Sequence, residues 1–230
     1  MKEILLPLLK LTRGSSAELA SVIEASRLGR SEALRRLREA ERRGLLKIKG
    51  EKIEVDYRKR LTAAVEALRL GADLEKVSKL LDWKEFERLS SSILEQNGYE
   101  PFLHFVFRDE KTGKKHEIDV LGVKEFLILC LDCKSWRRGW YKSRISLAAK
   151  KQLERSEALG VELPSLARKL KLLGRRGKYK ILPLVLTLAD VPYRILEGSL
   201  VVPILRFKSF LYELPGAIYG PLVPSITARI

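Results

Sequence analysis

The chain has 230 residues, of which 46% are hydrophobic and 32% are charged, with 15 Gly and 9 Pro. This composition excludes a wholly disordered chain, a collagen-like fibre and a mucin-like stalk, and it indicates one or two globular domains. Its apolar runs are much shorter than the roughly 20 residues of a membrane-spanning helix, so a membrane span is excluded. The net charge of +16 favours a polyanionic partner, with nucleic acid ahead of an anionic membrane surface, because no basic amphipathic helix carries an aromatic insertion face.

Cysteine and amide usage bear on the compartment and the source of the protein. Only two cysteines are present, which argues against a disulfide-bonded secreted scaffold and favours a reducing compartment. Asparagine and glutamine are scarce while charged residues are abundant, a composition typical of hyperthermophile proteins. We therefore expect a cytoplasmic protein from a thermophile.

The first part of the chain predicts three helices followed by a hairpin. Apolar residues at helical spacing predict helices over residues 2–11, 16–24 and 31–43, the second with a serine cap at its start. Residues 45–55 then alternate about a glycine-containing turn, which predicts two short antiparallel strands. Three helices and a hairpin in this order are the pattern of a winged helix.

Residues 1–57 resemble the winged helix-turn-helix domains of archaeal and bacterial regulators. Such a domain places its third helix in a DNA groove, and its wing lies beside that helix. The third helix and the hairpin are rich in basic residues that we expect to contact DNA, namely Arg30, Arg35, Arg36, Arg38, Arg42, Lys47 and Lys49. The alternative is a winged helix used for protein contacts.

Residues 58–81 predict a helical linker, because their leucines and valines recur at helical spacing. We place the second domain at residues 82–230. Within it, an acidic block over residues 81–132 is followed directly by a strongly basic block over residues 133–180. Carboxylates beside a cationic strip are the arrangement expected where metal ions are held next to a phosphate backbone, although a charge run can also be a solvated surface.

A three-stranded meander is predicted from residues 101–108, 116–122 and 126–136. Because side chains alternate along a strand, a tight turn after the second strand brings Asp119 opposite Cys130, or within one diagonal step of Asp132, on one face. Lys134 shares that face, so two carboxylates and an ammonium group converge. A surface cluster of ion pairs is the alternative, but an unpaired carboxylate within a hydrophobic strand is costly.

The cysteines Cys130 and Cys133 have the spacing of a zinc-binding pair. On a strand, however, positions three apart point to opposite faces, so both thiolates cannot reach one ion. We assign them to the core. His104 and His116 are too few and too far apart in the sequence to predict a metal site.

The segments IDVLG around Asp119 and LDCK around Asp132 resemble the PD-(D/E)xK nuclease superfamily. Together with FERL at residues 86–89, NGYE after it and Gln152 on a later helix, they are similar to Mrr-like restriction enzymes and archaeal Holliday-junction resolvases over residues 83–212.

This resemblance implies an α/β fold, a restriction-endonuclease-like α/β/α domain in which helices flank a central mixed sheet. It implies that Asp119, Asp132 and Glu87 hold Mg²⁺ or Mn²⁺, that Lys134 polarises the attacking water, and that Gln152 completes the catalytic set. The basic residues expected to contact nucleic acid in this domain are Arg137, Arg138, Lys150 and Lys151. The aromatic residues around Arg137 could stack on bases or close the core.

The sequence therefore predicts a metal-dependent DNA endonuclease that acts on duplex or branched DNA and is targeted by a winged helix. A homodimer is possible through the proline-rich end, residues 214–230. One alternative is a DNA-binding regulator whose nuclease-like domain has become an inactive dimerisation platform. Another is an RNA-processing enzyme, because phosphate contacts do not distinguish the two nucleic acids.

Overall fold

The computed structural model describes residues 1–13, 15–73, 76–77, 80–134, 142–188, 190–192, 194–218, 220 and 223–230. The chain forms two compact units, Met1–Leu89 and Ser90–Ile230. The division falls within the helix that begins at Trp83. The first turn of this helix is tied to the first unit by an ion pair between Arg60 and Glu85.

The helices of the first unit are α1 (Lys2–Leu11), α2 (Leu19–Ser26), α3 (Arg30–Arg42), α4 (Tyr57–Arg69) and the start of α5 (Trp83–Gln96), and its strands are β1 (Ser16–Glu18), β2 (Lys47–Lys49) and β3 (Lys52–Glu54). The second unit contains strands β4 (Glu100–Arg108), β5 (Lys115–Lys124), β6 (Leu127–Lys134), β7 (Lys178–Thr187), β8 (Ile195–Leu196), β9 (Ser199–Pro203) and β10 (Ile226–Arg229), with helices α6 (Lys142–Leu166) and α7 (Ile204–Ala217).

The first unit has the predicted helices and hairpin, together with a short strand that was not predicted. The three strands form an antiparallel sheet in the order β1-β3-β2. The expectation that Ser15 or Ser16 caps α2 is wrong, because Ser15 has a positive φ of 77° and Ser16 begins β1. The sequence did not indicate β1 because three residues are too few to show a period of two.

A buried arginine joins three segments of the first unit. The Arg60 side chain, 3% exposed, donates to the carbonyl oxygens of Leu9 and Leu80 at 2.8 and 2.9 Å and to Thr12 Oγ1 at 2.8 Å. It also pairs with Glu85 Oε1 at 2.5 Å. A guanidinium has five donors in a fixed fork, so one side chain can hold these segments in a single geometry.

The second unit is a mixed sheet in the order β4-β5-β6-β7-β9-β8, with β10 paired to β7. Strands β4, β5 and β6 are the predicted antiparallel meander, and β6, β7 and β9 are parallel. The prediction that the third strand of the meander is central is confirmed: β6 lies between β5 and β7, and its residues are mostly buried. This unit confirms the α/β class with a mixed central sheet.

Helix α6 covers part of this sheet and carries several of the predicted site residues. Gly160 allows the helix to approach closely, because a Cβ at this position would lie 3.2 Å from Ile226 Cγ2 and 3.5 Å from Ile181 Cδ1. Leu159 and Leu163 of the same helix belong to the main core cluster of the sheet. The packing therefore fixes the rotation of α6, and with it the residues that face the carboxyl end of β6.

The end of the chain adds a strand to the sheet. Ile226–Arg229 pair with Lys178–Ile181 of the same chain. The expectation that residues 214–230 contribute to a homodimer stays a prediction. Among the described residues, no helix is both long enough and apolar enough to span a membrane.

We predict that Arg60→Met destabilises the first unit by about 3 kcal/mol, because it leaves the partly buried Glu85 carboxylate and the Leu9 and Leu80 carbonyl groups without their donor. Urea unfolding followed by circular dichroism measures the change. Arg69→Met, at an exposed position of α4, is the matched control and should cost no more than about 0.5 kcal/mol. Equal losses in the two variants would contradict the structural role of Arg60.

Candidate functional site

The two aspartates of the predicted site lie on neighbouring strands. The register pairs Leu121 with Cys130 and Val120 with Leu131, so the next step along β5 places Asp119 beside Asp132. The expectation that Asp119 lies opposite Cys130 is therefore wrong. The register is two residues further along β6 because the turn between the strands is the two-residue loop at Glu125, whose φ of 51° lets Lys124 pair with Leu127.

Asp132 is the most buried member of the site, with 1% of its surface exposed. Its Oδ1 accepts hydrogen bonds from Lys134 Nζ at 2.9 Å and from Arg155 Nη1 at 2.8 Å. Among the described residues its Oδ2, which is also buried, has no hydrogen-bond partner. Oδ1 is thus held by two cations, whereas Oδ2 has no donor. A ligand at Oδ2 would be favourable, because a buried carboxylate oxygen without a partner costs free energy.

Asp119 is half-buried and is tied to the backbone of the next strand. Its Oδ2 accepts a hydrogen bond of 2.7 Å from the Cys133 N–H group. Burial, and secondarily the charge of Asp132, raise the pKa of this carboxyl, while the Cys133 hydrogen bond opposes the shift. The two carboxylates therefore repel each other in the absence of a bound cation.

Gln152 and Arg155, one turn apart on α6, support Asp132 from the helix side. Gln152 is fully buried, its Nε2 donates to the Cys130 carbonyl oxygen at 2.7 Å, and its Oε1 accepts from Arg155 Nη1 at 3.2 Å. The predicted Gln152 is thus engaged with the backbone of β6 and positions Arg155. Sequence reasoning missed Arg155, although its i+3 spacing from Gln152 places the two on one helix face.

A cationic cleft of about 270 Å³ opens beside these residues. Its lining residues are Asp132, Lys134, Arg144, Leu147, Ala148, Lys151 and Arg155. The predicted Lys151 therefore belongs to the cleft, and the predicted Lys150 is exposed on α6 outside it. We name this cleft the aspartate cleft.

The remaining predicted site residues are placed elsewhere or lie outside the described residues. Glu87 belongs to the first unit, where it is buried on α5. Arg137 and Arg138, and the aromatic residues around them, lie outside the described residues.

The basic residues of the first unit differ in whether they form ion pairs with acidic side chains of the same unit. Arg35 and Arg36 both bind Glu32, Arg36 also binds Glu3, and Lys49 binds Glu54. The basic side chains that are exposed on α3 and β2 are those of Arg30, Arg35, Arg38, Arg42, Lys47 and Lys49. Arg38 and Arg42 are one turn apart on α3, so they present two guanidinium groups on one face.

The candidate donors for a divalent ion are Asp132, which lines the aspartate cleft, and Asp119 on the neighbouring strand. In the part of the chain that the structure describes, no three His, Cys, Asp or Glu side chains come together as a metal-binding group. Two carboxylates on adjacent strands, one with an unpartnered buried oxygen, are nevertheless a donor set that suits a hard cation such as Mg²⁺ or Mn²⁺, which keeps several waters. The residues present therefore fit the ion that the sequence implied. Cys130 and Cys133 are buried and are not joined in a disulfide, as expected for core residues.

Comparison with known proteins gives no functional assignment. No protein family model matches the chain. The chain is similar to an uncharacterized protein of Archaeoglobus fulgidus, with 29% identity over 133 residues, which are 57% of this chain and 91% of that protein. It is also similar to the crystal structure of protein VC1899 from Vibrio cholerae, with 13% identity and a TM-score of 0.38 over 94% of this chain. The chain spans half the length of the Vibrio cholerae protein.

We predict that Asp119→Asn stabilises the protein at pH 7 in EDTA, because it removes the repulsion between two carboxylates. A native-state pKa above the ordinary value of 3.8 means that the folded protein binds the proton more tightly than the unfolded chain. Wild-type stability should therefore fall as the pH rises from about 3.8 through the raised native pKa, and the variant should lack this decline.

Urea unfolding from pH 3 to pH 8 measures the effect. Glu117→Gln, at an exposed position of the same strand, is the control and should stay within about 0.5 kcal/mol of the wild type at pH 7. A loss of stability at pH 7 in Asp119→Asn would contradict the assigned repulsion.

Proposed function

We propose that the chain is a metal-dependent endonuclease that hydrolyses phosphodiester bonds in DNA and is targeted by its N-terminal winged helix. The observation that carries the proposal is the environment of Asp132, a buried carboxylate on a central strand with one oxygen held by two cations and the other unpartnered. A purely structural ion pair would gain nothing from a buried, unpartnered oxygen.

The residues in and beside the aspartate cleft have separate tasks in this proposal. Asp119 and Asp132 would hold Mg²⁺ or Mn²⁺, which when bound lowers the pKa of water and neutralises charge on the phosphate. Lys134, whose ammonium group binds Asp132 Oδ1, would orient the attacking water and stabilise negative charge that develops on the phosphate. Gln152 is a positioning residue, because its amide fixes the backbone of β6 and the guanidinium of Arg155.

Arg155 and the cleft's other cations would bind the substrate backbone. Lys134, Arg144, Lys151 and Arg155 face a single carboxylate, Asp132, among the lining residues. Such an excess of positive charge favours a phosphate chain over a neutral substrate. A guanidinium also offers two parallel donors to phosphate oxygens.

The first unit supports the DNA-binding part of the proposal by its element order. Three helices with β1 between the first two and a β2–β3 hairpin after the third are the arrangement of a winged helix, whose recognition helix would be α3. The guanidinium groups of Arg38 and Arg42 would then contact the phosphates beside the groove.

We predict that Asp119→Asn and Asp132→Asn each weaken Mg²⁺ binding and abolish cleavage, while DNA binding in EDTA is kept or tightened because repulsion from phosphate is removed. Lys134→Ala should leave Mg²⁺ affinity nearly unchanged and lower the cleavage rate by about 10²-fold or more, because an ammonium group is not a ligand. Calorimetric titration with Mg²⁺ and Mn²⁺ beside cleavage assays on plasmid, single-stranded, branched and RNA substrates measures both effects.

Two outcomes of these assays would change the assignment. If the wild-type protein binds no divalent ion and cuts none of these substrates, it is a DNA-binding regulator with an inactive nuclease-like domain. If only the RNA substrate is cut, the protein is an RNA-processing enzyme.

We predict that the double variant Arg38→Gln/Arg42→Gln weakens duplex binding uniformly across sequences. The plot of log affinity against log salt concentration should lose about 0.9 of slope for each phosphate contact removed. Fluorescence anisotropy in EDTA from 50 to 300 mM salt measures the slope. Arg69→Gln, on α4, serves as the exposed control, and an unchanged slope in the double variant would contradict the role of α3.

A further inference from the structure

A second cleft, of about 350 Å³, adjoins the aspartate cleft on the surface of the second unit. Its lining residues are Lys114, Lys115, His116, Glu117, Lys151, Glu154 and Arg155. Lys151 and Arg155 line both clefts. A chain of phosphates that occupies one cleft can therefore continue into the other past these two shared side chains. We name this second cleft the histidine cleft.

His116 is the buried polar group of the histidine cleft. It is 6% exposed, and its ring stacks on Phe107 with the centroids 5.2 Å apart. Its Nε2 is buried and has no hydrogen-bond partner among the described residues. A buried ring nitrogen without a partner costs about 1–3 kcal/mol, and this cost is recovered when a ligand supplies the partner.

The charge around His116 selects the kind of ligand. Lys114, Lys115, Lys151 and Arg155 outnumber the two carboxylates of the cleft, Glu117 and Glu154. Burial, and then the charge of Lys114, lower the pKa of His116, while Asp109 and Glu154 oppose the shift. Four cationic side chains repel a metal ion and attract an anion, and a phosphate oxygen is an acceptor for an imidazole N–H donor.

We propose that the histidine cleft binds a phosphate of the nucleic acid strand next to the phosphate held in the aspartate cleft, with His116 as a hydrogen-bond donor and Lys114 and Lys115 as counter-charges. The inference rests on the proposed function, because it takes the strand to be the substrate. It adds a substrate subsite that fixes the direction in which the strand leaves Asp132.

Histidine resonances test the subsite directly, because the chain has only two histidines. The full chain in EDTA is titrated with inorganic phosphate and, separately, with a short DNA duplex, and the imidazole signals are recorded by nitrogen-15 NMR. We expect the duplex to move the His116 signals more than those of His104, whose Nδ1 lies 3.5 Å from the lining residue Glu117. If inorganic phosphate moves the His116 signals and the duplex does not, the cleft is a site for free phosphate and the assignment to a nucleic acid strand is wrong.

A substitution supplies a second readout. His116→Phe keeps the stacking on Phe107 and removes the unpartnered nitrogen, so we expect a melting temperature at or above that of the wild type. Its affinity for the duplex in EDTA should fall roughly ten-fold, which corresponds to the loss of one hydrogen bond to a charged group. His104→Gln is the matched control and should bind the duplex as the wild type does. If His116→Phe does not fold, Lys114→Gln/Lys115→Gln is used in its place, with the same expected loss.

Binding in EDTA separates this proposal from the endonuclease proposal. If the His116 signals move with the duplex and no substrate is cleaved in Mg²⁺, the subsite stands and the hydrolytic function fails. If the signals stay in place with both probes and His116→Phe binds the duplex with wild-type affinity, the subsite is wrong whatever the cleavage assays give.

Discussion

The site depends on a single carboxylate that is buried on a central strand. Asp132 lies where a charge is expensive, and it is tolerated because Lys134 and Arg155 both reach its Oδ1. Removal of one partner from such a cluster typically costs several kcal/mol, because the remaining charge stays buried. The geometry of β6, α6 and the cleft between them is therefore fixed by the need to keep these three groups together.

Helix α6 meets that need through its packing. Leu159 and Leu163 hold the middle of the helix against the sheet, and Gly160 removes the side chain that would keep it away. One to two turns earlier, Gln152 and Arg155 then face β6. The apolar residues of α6 thus position its polar residues. Two of these, Lys151 and Arg155, line both clefts.

Much of this arrangement could be predicted from the sequence, because it depends on local periodicity. The alternation of side chains along β5 and β6 predicts that Asp119, Asp132 and Lys134 share one face. The exact pairing was not predictable, since it depends on the backbone at Glu125, whose positive φ is unusual for a residue other than glycine. Arg155 was missed for a different reason: on a long basic helix, only packing against the sheet distinguishes the arginine that binds Asp132 from its exposed neighbours. The pairing of residues 226–229 with β7 could not be predicted, because strand pairing over a long sequence distance leaves no local signal in the sequence.

The pairing of β10 with β7 also affects how the second unit folds during its synthesis. Strand β7 is apolar from Ile181 to Leu186, and on the ribosome it emerges well before the strand that pairs with Lys178–Ile181. During that interval the nascent chain presents a strand edge whose N–H and C=O groups are unpaired, which is the kind of surface that recruits other chains. Synthesis speed and chaperone access over this stretch should therefore influence the yield of folded protein more than the stability of the finished sheet does.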